Sequence, residues 1–129
     1  METSLFSLFE NGTLAVAGES FSLAALDWQP HPEFPGVSLK HVAGADKTGG
    51  LFTCHLVRIE PGKAIGMHTH PSSIELHEVM GGQGSCVTEQ GEIVYSPGSM
   101  AVLPANSPHE VRAGGQGLYL FAKFINIPG

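Results

Sequence analysis

Residues 66–78 read "GMHTHPSSIELHE", which puts His68, His70, Glu75, His77 and Glu78 within eleven positions. Along a β-strand successive side chains alternate between faces, so His68 and His70 project the same way. At about 3.3 Å of rise per residue their Cα atoms stand about 6.6 Å apart, which lets two imidazoles converge on one ion. "PSS" turns the chain, and "IELHEVM" returns as the next strand. On that strand Glu75, His77 and Val79 share one face, while Ile74, Leu76, Glu78 and Met80 share the other. Turning Glu75 toward the histidine pair builds a two-His, one-carboxylate set. It also leaves Ile74, Leu76 and Met80 facing outward, to be covered by the N-terminal segment or by a second subunit.

Further runs with strand character flank this stretch: "TLAVA", "VSLKHV", "LFTCHLVRIE", "AIGMHTH", "GSCVTE", "EIVY", "SMAVLP", "HEVRA" and "LYLFAKFINI". About ten short strands separated by turn signals predict an all-β fold, an antiparallel sandwich or barrel with little helix. "EQGE" at 89–92 suits a hairpin turn in which Gly91 supplies positive φ, and "EPGK" and "SPGS" suit type II turns. No convincing helix stands out. "FSLAALDW" (21–28) is the best candidate, and it is short enough for a single turn. The first 35 residues, with "QPHPEFPG" at 29–36, carry more loop signals. We expect residues 1–35 to form an arm on the barrel or on a partner subunit, and residues 36–129 to form the barrel.

The bulk composition narrows the partners. The chain has 129 residues, 42% of them hydrophobic and 14% charged, which suits one compact domain. Its net charge is −6, and no run of Lys or Arg could follow a phosphate backbone or an anionic membrane. The opening "METSLFSLFENG" lacks the basic start and long apolar run of a secretory signal, so we expect a cytoplasmic protein with Cys54 and Cys86 as reduced thiols. No nucleophilic triad, phosphate loop or nucleotide fingerprint is present.

Downstream, "SPHEVRA" places His109, Val111 and Ala113 on one face, with Glu110 and Arg112 on the other. The second set reads as solvated, so His109 points inward. Taken together, these segments resemble the cupins, a family of small β-barrels. Their first motif runs Gly, five residues, His-x-His, three or four residues, Glu, six residues, Gly. It is matched by Gly62, "KAIGM", His68-Thr-His70, "PSSI", Glu75, "LHEVMG" and Gly82. Their second motif runs Gly, five residues, Pro-x-Gly, two residues, His, three residues, Asn. Gly98, Pro104 and His109 match it, with Asn106 in place of the Gly and Ala113 in place of the Asn. Asn tolerates the left-handed conformation that the Gly position needs.

The resemblance implies a single antiparallel jelly-roll barrel with His68, His70, Glu75 and His109 as metal ligands. Three imidazoles and a carboxylate suit one divalent transition metal: Fe, Mn, Ni, Co, Cu or Zn. Four protein ligands in octahedral geometry leave two positions open, the arrangement of a working metal and not of a closed structural site. The implied function is metal-dependent chemistry on a small oxygenated molecule inside the barrel, with dioxygenase activity favoured over isomerase, lyase or decarboxylase activity. The alternative is a non-catalytic small-ligand-binding or sensor cupin. The resemblance also implies a homodimer.

The remaining candidates divide by face. His77 lies inward beyond Glu75, either as a partner or acid/base behind the metal ligand or as a satisfied interior histidine. His55 reads as structural, its face unfixed by pattern, and His31 and His41 read as surface residues. Arg58 and Arg112 are the candidate clamps for a carboxylate substrate, Arg112 pointing outward and Arg58 undetermined. Tyr119, Phe121 and Phe124 are expected to fill the barrel or line its mouth, and Trp28 to anchor the arm.

Overall fold

A computed structural model describes residues 4–128; the first three residues of the expected arm, and Gly129, lie outside the described residues. Two long strands organise the fold, β7 (Ser73–Thr88) and β10 (His109–Asn126). They pair antiparallel along their whole length, from His109↔Thr88 to Asn126↔Ser73. The register shifts between Ala113 and Leu118, where Gly82 and Gly117 both take positive φ. Only glycine serves there, because a Cβ on Gly82 would come within 2.1 Å of the Gly117 carbonyl oxygen. This glycine-rich bend sends each long strand from one layer into the other. "IELHEVM" and "GSCVTE", read as two strands from sequence, are therefore one, and so are "HEVRA" and "LYLFAKFINI".

On one side of the bend, the layer runs β3 (Gln29–Pro30), β4 (Val37–Ala43), β5 (Phe52–Ile59), β10, β7 and β9 (Met100–Leu103). On the other side, β6 (Ala64–His68), β10, β7 and β8 (Gly91–Tyr95) pair in that order. A separate hairpin joins β1 (Thr13–Val16) to β2 (Glu19–Ser22). Ten antiparallel strands among the described residues match the all-β architecture expected. The interior alternates as strands require: Val57 and Ile59 on β5, Val79 on β7, and Leu118, Leu120 and Ala122 on β10 are buried in one cluster with Tyr95 and Leu103. Each large aliphatic side chain removed from water in this way contributes roughly 1.5–3 kcal/mol.

A second cluster lies on the outer face of β4, β5 and β10 beneath the N-terminal segment. Here "LFSLFE" forms a six-residue helix, α1 (Leu5–Glu10), which the sequence did not announce. Ser4 caps it by accepting from the Ser7 N–H at 3.0 Å. The helix packs Phe6 against Tyr119 (ring centroids 5.0 Å) and Phe9 against Phe121 (6.1 Å). Tyr119 and Phe121 are thus not barrel filling; the alternation that buries Leu118, Leu120 and Ala122 turns them outward under the helix. "FSLAALDW" yields the end of β2 and a single 3-10 turn at Leu23–Ala25. A short helix α2 (Ala45–Thr48) joins β4 to β5.

Trp28 anchors this outer layer. Its indole N–H donates to Glu10 Oε2 at 3.2 Å, and the Arg58 guanidinium lies 4.2 Å over its ring. Lys40, only 3% exposed, donates to the carbonyl oxygens of Glu10 (2.9 Å) and Leu23 (2.8 Å). The helix covers Met80, which joins the outer cluster, whereas Ile74 remains 36% exposed beside Val102 at 65% and Ile125 at 44%.

Candidate metal centre

His68 ends β6 and His109 begins β10, and the two are direct cross-strand partners. Their rings lie 4.3 Å apart, and the His70 ring is 4.7 Å from that of His68. Glu75 enters from β7, 5% exposed, on the face it shares with His77 and Val79. One nitrogen or oxygen from each of His68, His70, Glu75 and His109 falls within 4.8 Å of the others, so the four can hold a metal ion.

Hydrogen bonds select the atoms offered. The His68 Nδ1–H donates to the Gly66 carbonyl at 2.7 Å, and the His109 Nδ1–H to the Ser107 carbonyl at 3.0 Å. A carbonyl can only accept, so both rings carry the Nδ1 proton and turn Nε2 toward the centre. His70 Nε2 is buried without a hydrogen-bond partner. It stands 3.3 Å from Glu75 Oε1 but is not directed for a hydrogen bond. A buried ring nitrogen left unpaired beside two imidazoles and a carboxylate fits a divalent ion of borderline softness.

Glu75 is the electrostatic hub. Its Oε1 accepts from His109 Nε2 at 3.0 Å, and its Oε2 from His77 Nε2 at 2.5 Å. Burial alone would push its carboxyl up, but His109, His70 and His77 gathered around it hold it well below the usual carboxylate range. For His109, burial lowers the pKa, and the bond to Glu75 with the Ser107 carbonyl outweighs this and raises it. Burial dominates at His68 and lowers its pKa.

Behind the carboxylate, His77 is 2% exposed and has both nitrogens engaged. Its Nε2–H serves Glu75, so Nδ1 is bare and accepts from the Tyr95 hydroxyl at 2.9 Å. Burial, with Cys86 and Glu75 nearby, keeps the Tyr95 hydroxyl protonated well above its ordinary range, as a donor must be. The result is a buried chain from Tyr95 through His77 to Glu75.

The centre opens into a cavity of about 300 Å³, walled by Phe34, Leu39, Val57, Ile65, Leu120 and Phe124. Among the described residues no Lys or Arg lines it, and Glu33 does. Arg58 lies outside over Trp28, and the exposed Arg112 pairs with Glu110, so neither candidate clamp reaches the cavity. Three histidines do. His55 points in from β5, while His31, partly exposed, and His41, exposed as expected, also contribute to the lining. Register explains His41: β4 pairs with β5 so that His41 stands opposite His55, and their Nδ1 atoms are 2.8 Å apart. The histidines in "VSLKHV" and "TCHLVR" were the signal, legible only once the two strands are paired. Cys54 and Cys86 are free, buried in the outer and inner clusters respectively.

Known proteins agree with this architecture. The Cupin domain family matches residues 55–121, just over half of the chain, and the protein belongs to that family. Among solved structures, KdgF from Halomonas sp. is 24% identical with a TM-score of 0.68, over 79% of this chain and 89% of that one. A predicted oxalate decarboxylase from Thermotoga maritima is 15% identical with a TM-score of 0.74, over 81% and 96%. A cupin-superfamily sugar phosphate isomerase from Silicibacter pomeroyi is 22% identical with a TM-score of 0.70, over 84% and 76%. At these identities the likeness is one of fold. No curated protein matches the chain in sequence.

Proposed function

We propose that this cupin is a metal-dependent enzyme acting on a small oxygenated molecule held in the barrel cavity. The observation that carries the reading is the unpaired, buried His70 Nε2 facing Glu75 beside His68 and His109. His68, His70, Glu75 and His109 would hold one divalent transition metal. When bound, such an ion supplies a Lewis acid that draws electron density from a substrate oxygen.

The chain's own residues do the rest. The Gly66 and Ser107 carbonyls fix the His68 and His109 tautomers, and His77 fixes the outer oxygen of Glu75. His77 acts in this reading as a positioning residue, since neither of its nitrogens is free to touch a substrate. The His109 Nε2–H donates to Glu75, so a metal that took this nitrogen would displace its proton. With no Lys or Arg among the described lining residues, an anionic group on the substrate must find its counter-charge at the centre itself.

Dioxygenase chemistry is compatible with this donor set, and so is a reaction without net oxidation, such as an isomerisation or a decarboxylation. Oxygen uptake by metal-loaded protein with co-purifying ligand separates the two. Elemental analysis of protein purified without added metal should find about one transition-metal ion per chain, lost in His70→Ala and His109→Ala. A fully loaded His109→Ala would sink the ligand assignment, and ligand binding without turnover would convert the enzyme into a binding protein.

No helix among the described residues is long and apolar enough to cross a membrane, and two buried, unpaired thiols suit a reducing cytoplasm. Of the expected arm, residues 1–35, the described part as far as Trp28 serves as an outer layer, whereas β3, His31 and Phe34 belong with the barrel. A homodimer would cover the apolar outer face at Ile74, Val102 and Ile125.

A further inference from the structure

The cavity has a second polar feature that the metal centre does not use. His41 and His55 are cross-strand partners, their rings edge to face at 4.7 Å and their Nδ1 atoms 2.8 Å apart. A contact of that length between two ring nitrogens is a hydrogen bond only if one proton lies between them. When both rings are neutral, the one that donates through Nδ1 has a bare Nε2, and the one that accepts keeps an Nε2–H. The pair therefore offers one acceptor and one donor from two adjacent rings.

Several observations aim that offer at a ligand. Both residues line the same cavity as His68, His70 and Glu75. The His55 ring packs edge-on against Phe124 at 5.6 Å, and the opposite partner of Phe124 is His70 at 5.0 Å. One aromatic ring thus separates the pair from the metal centre. Among the described residues, neither His41 nor His55 gives its Nε2 a hydrogen-bonding protein partner; His41 is exposed and His55 half-buried. Burial, with His41 beside it, lowers the His55 pKa to about 4, so the His55 ring is not cationic at neutral pH. Glu33 in the same lining disfavours an anionic group, whereas a hydroxyl, which donates and accepts through one oxygen, matches both free nitrogens.

We propose that His41 and His55 form a second anchoring point on the cavity wall, which takes an uncharged hydroxyl of the molecule whose oxygens bind at the metal centre. The proposal rests on the metal-dependent reading above and narrows its substrate class to small hydroxylated acids or carbonyl compounds, anionic at one end at most. The two histidines are specificity-determining residues, acting on the end of the substrate away from the ion.

Calorimetry on metal-loaded protein tests this with 2-oxobutanoate, 2-oxopentanoate and 2-oxohexanoate, each with and without a terminal hydroxyl. The 2-oxo acid end is a metal chelator, and the series of lengths finds the span of the cavity. For one length the hydroxylated probe should bind the wild type about tenfold tighter than its parent, the worth of one to two hydrogen bonds. His55→Phe and His41→Phe should lose that preference while keeping metal content and affinity for the parent acid, which also shows that the cavity is folded. His55→Gln, which retains a donor and an acceptor, should recover part of it. No hydroxyl preference in the wild type at any length, or a preference that survives both Phe variants, overturns the proposal. A second metal ion bound per chain and lost in His41→Phe would also overturn it, by making the pair a metal site. If no probe binds the metal-loaded wild type, the metal-dependent reading falls with it.

Discussion

Glu75 is asked to serve two masters, a pair of ligand imidazoles on one oxygen and His77 on the other. The second contact frees the first oxygen for the centre by fixing how the carboxylate is turned. Tyr95→Phe removes only the hydroxyl at the far end of the chain, leaving His77 Nδ1 buried and unpaired. We expect a stability loss of about 1–3 kcal/mol in urea unfolding. Metal affinity should fall about tenfold to a hundredfold in a chelator-buffered titration, as when a partner of a metal ligand is removed. An unchanged metal affinity would reduce Tyr95 to packing. His55 gives a pH signature of its own. The folded chain keeps it neutral down to about pH 4, whereas the unfolded chain protonates it near its ordinary 6.5, so unfolding takes up a proton in that window. Its contribution to stability therefore falls as pH drops from about 6.5 to about 4. Urea unfolding of metal-stripped wild type against His55→Phe across that range should show the wild type losing stability relative to the variant toward low pH, and a constant difference would contradict it. The clustering of His68, His70, Glu75 and His109 was legible in sequence because alternation gave each residue a face and the resemblance to the cupin motifs joined the distant His109 to the other three. His41 was not, because its face matters only through its pairing with β5.

At the scale of elements, the candidate metal centre depends on one bend. β7 and β10 carry Glu75 and His109 on different sides of the glycine crossing at Gly82 and Gly117, so the angle of that crossing sets how closely the two approach. Gly82→Ala must accommodate both a φ of +72° and a Cβ 2.1 Å from a carbonyl oxygen. We expect it to cost at least about 3 kcal/mol, or to prevent folding. Gly98→Ala has a similar φ requirement but open space around it, and should cost about 1 kcal/mol. Equal effects in chemical denaturation would show that the close approach at Gly82 is relieved by movement. The turns at Gly62, Gly98 and Asn106 were readable from local residue types, and Asn106 does adopt φ 63°. Helix α1 was not readable, since six residues with one capping serine form a helix only when Phe6 and Phe9 find the outer face of β10 to rest on.

For the whole molecule, the inner cluster builds the cavity and the outer cluster fastens the N-terminal segment around it. The strip at Ile74, Val102 and Ile125 lies beyond the reach of α1 and stays exposed. If a second copy covers it, sedimentation equilibrium should find a dimer for the wild type and a monomer for Val102→Asp. A wild-type monomer would leave the strip to another partner. The outer cluster holds one more consequence, at Lys40. The residue is 3% exposed and its ammonium is held by two carbonyl oxygens belonging to α1 and to the turn after β2, with no carboxylate of the described residues paired to it. An amine reagent cannot reach that nitrogen while the segment is seated. The rate at which Lys40 is acylated, against exposed Lys63 in the same sample, is accordingly a clock for how often the segment lifts. Trp28→Ala, which takes away its anchor, should make the clock run faster.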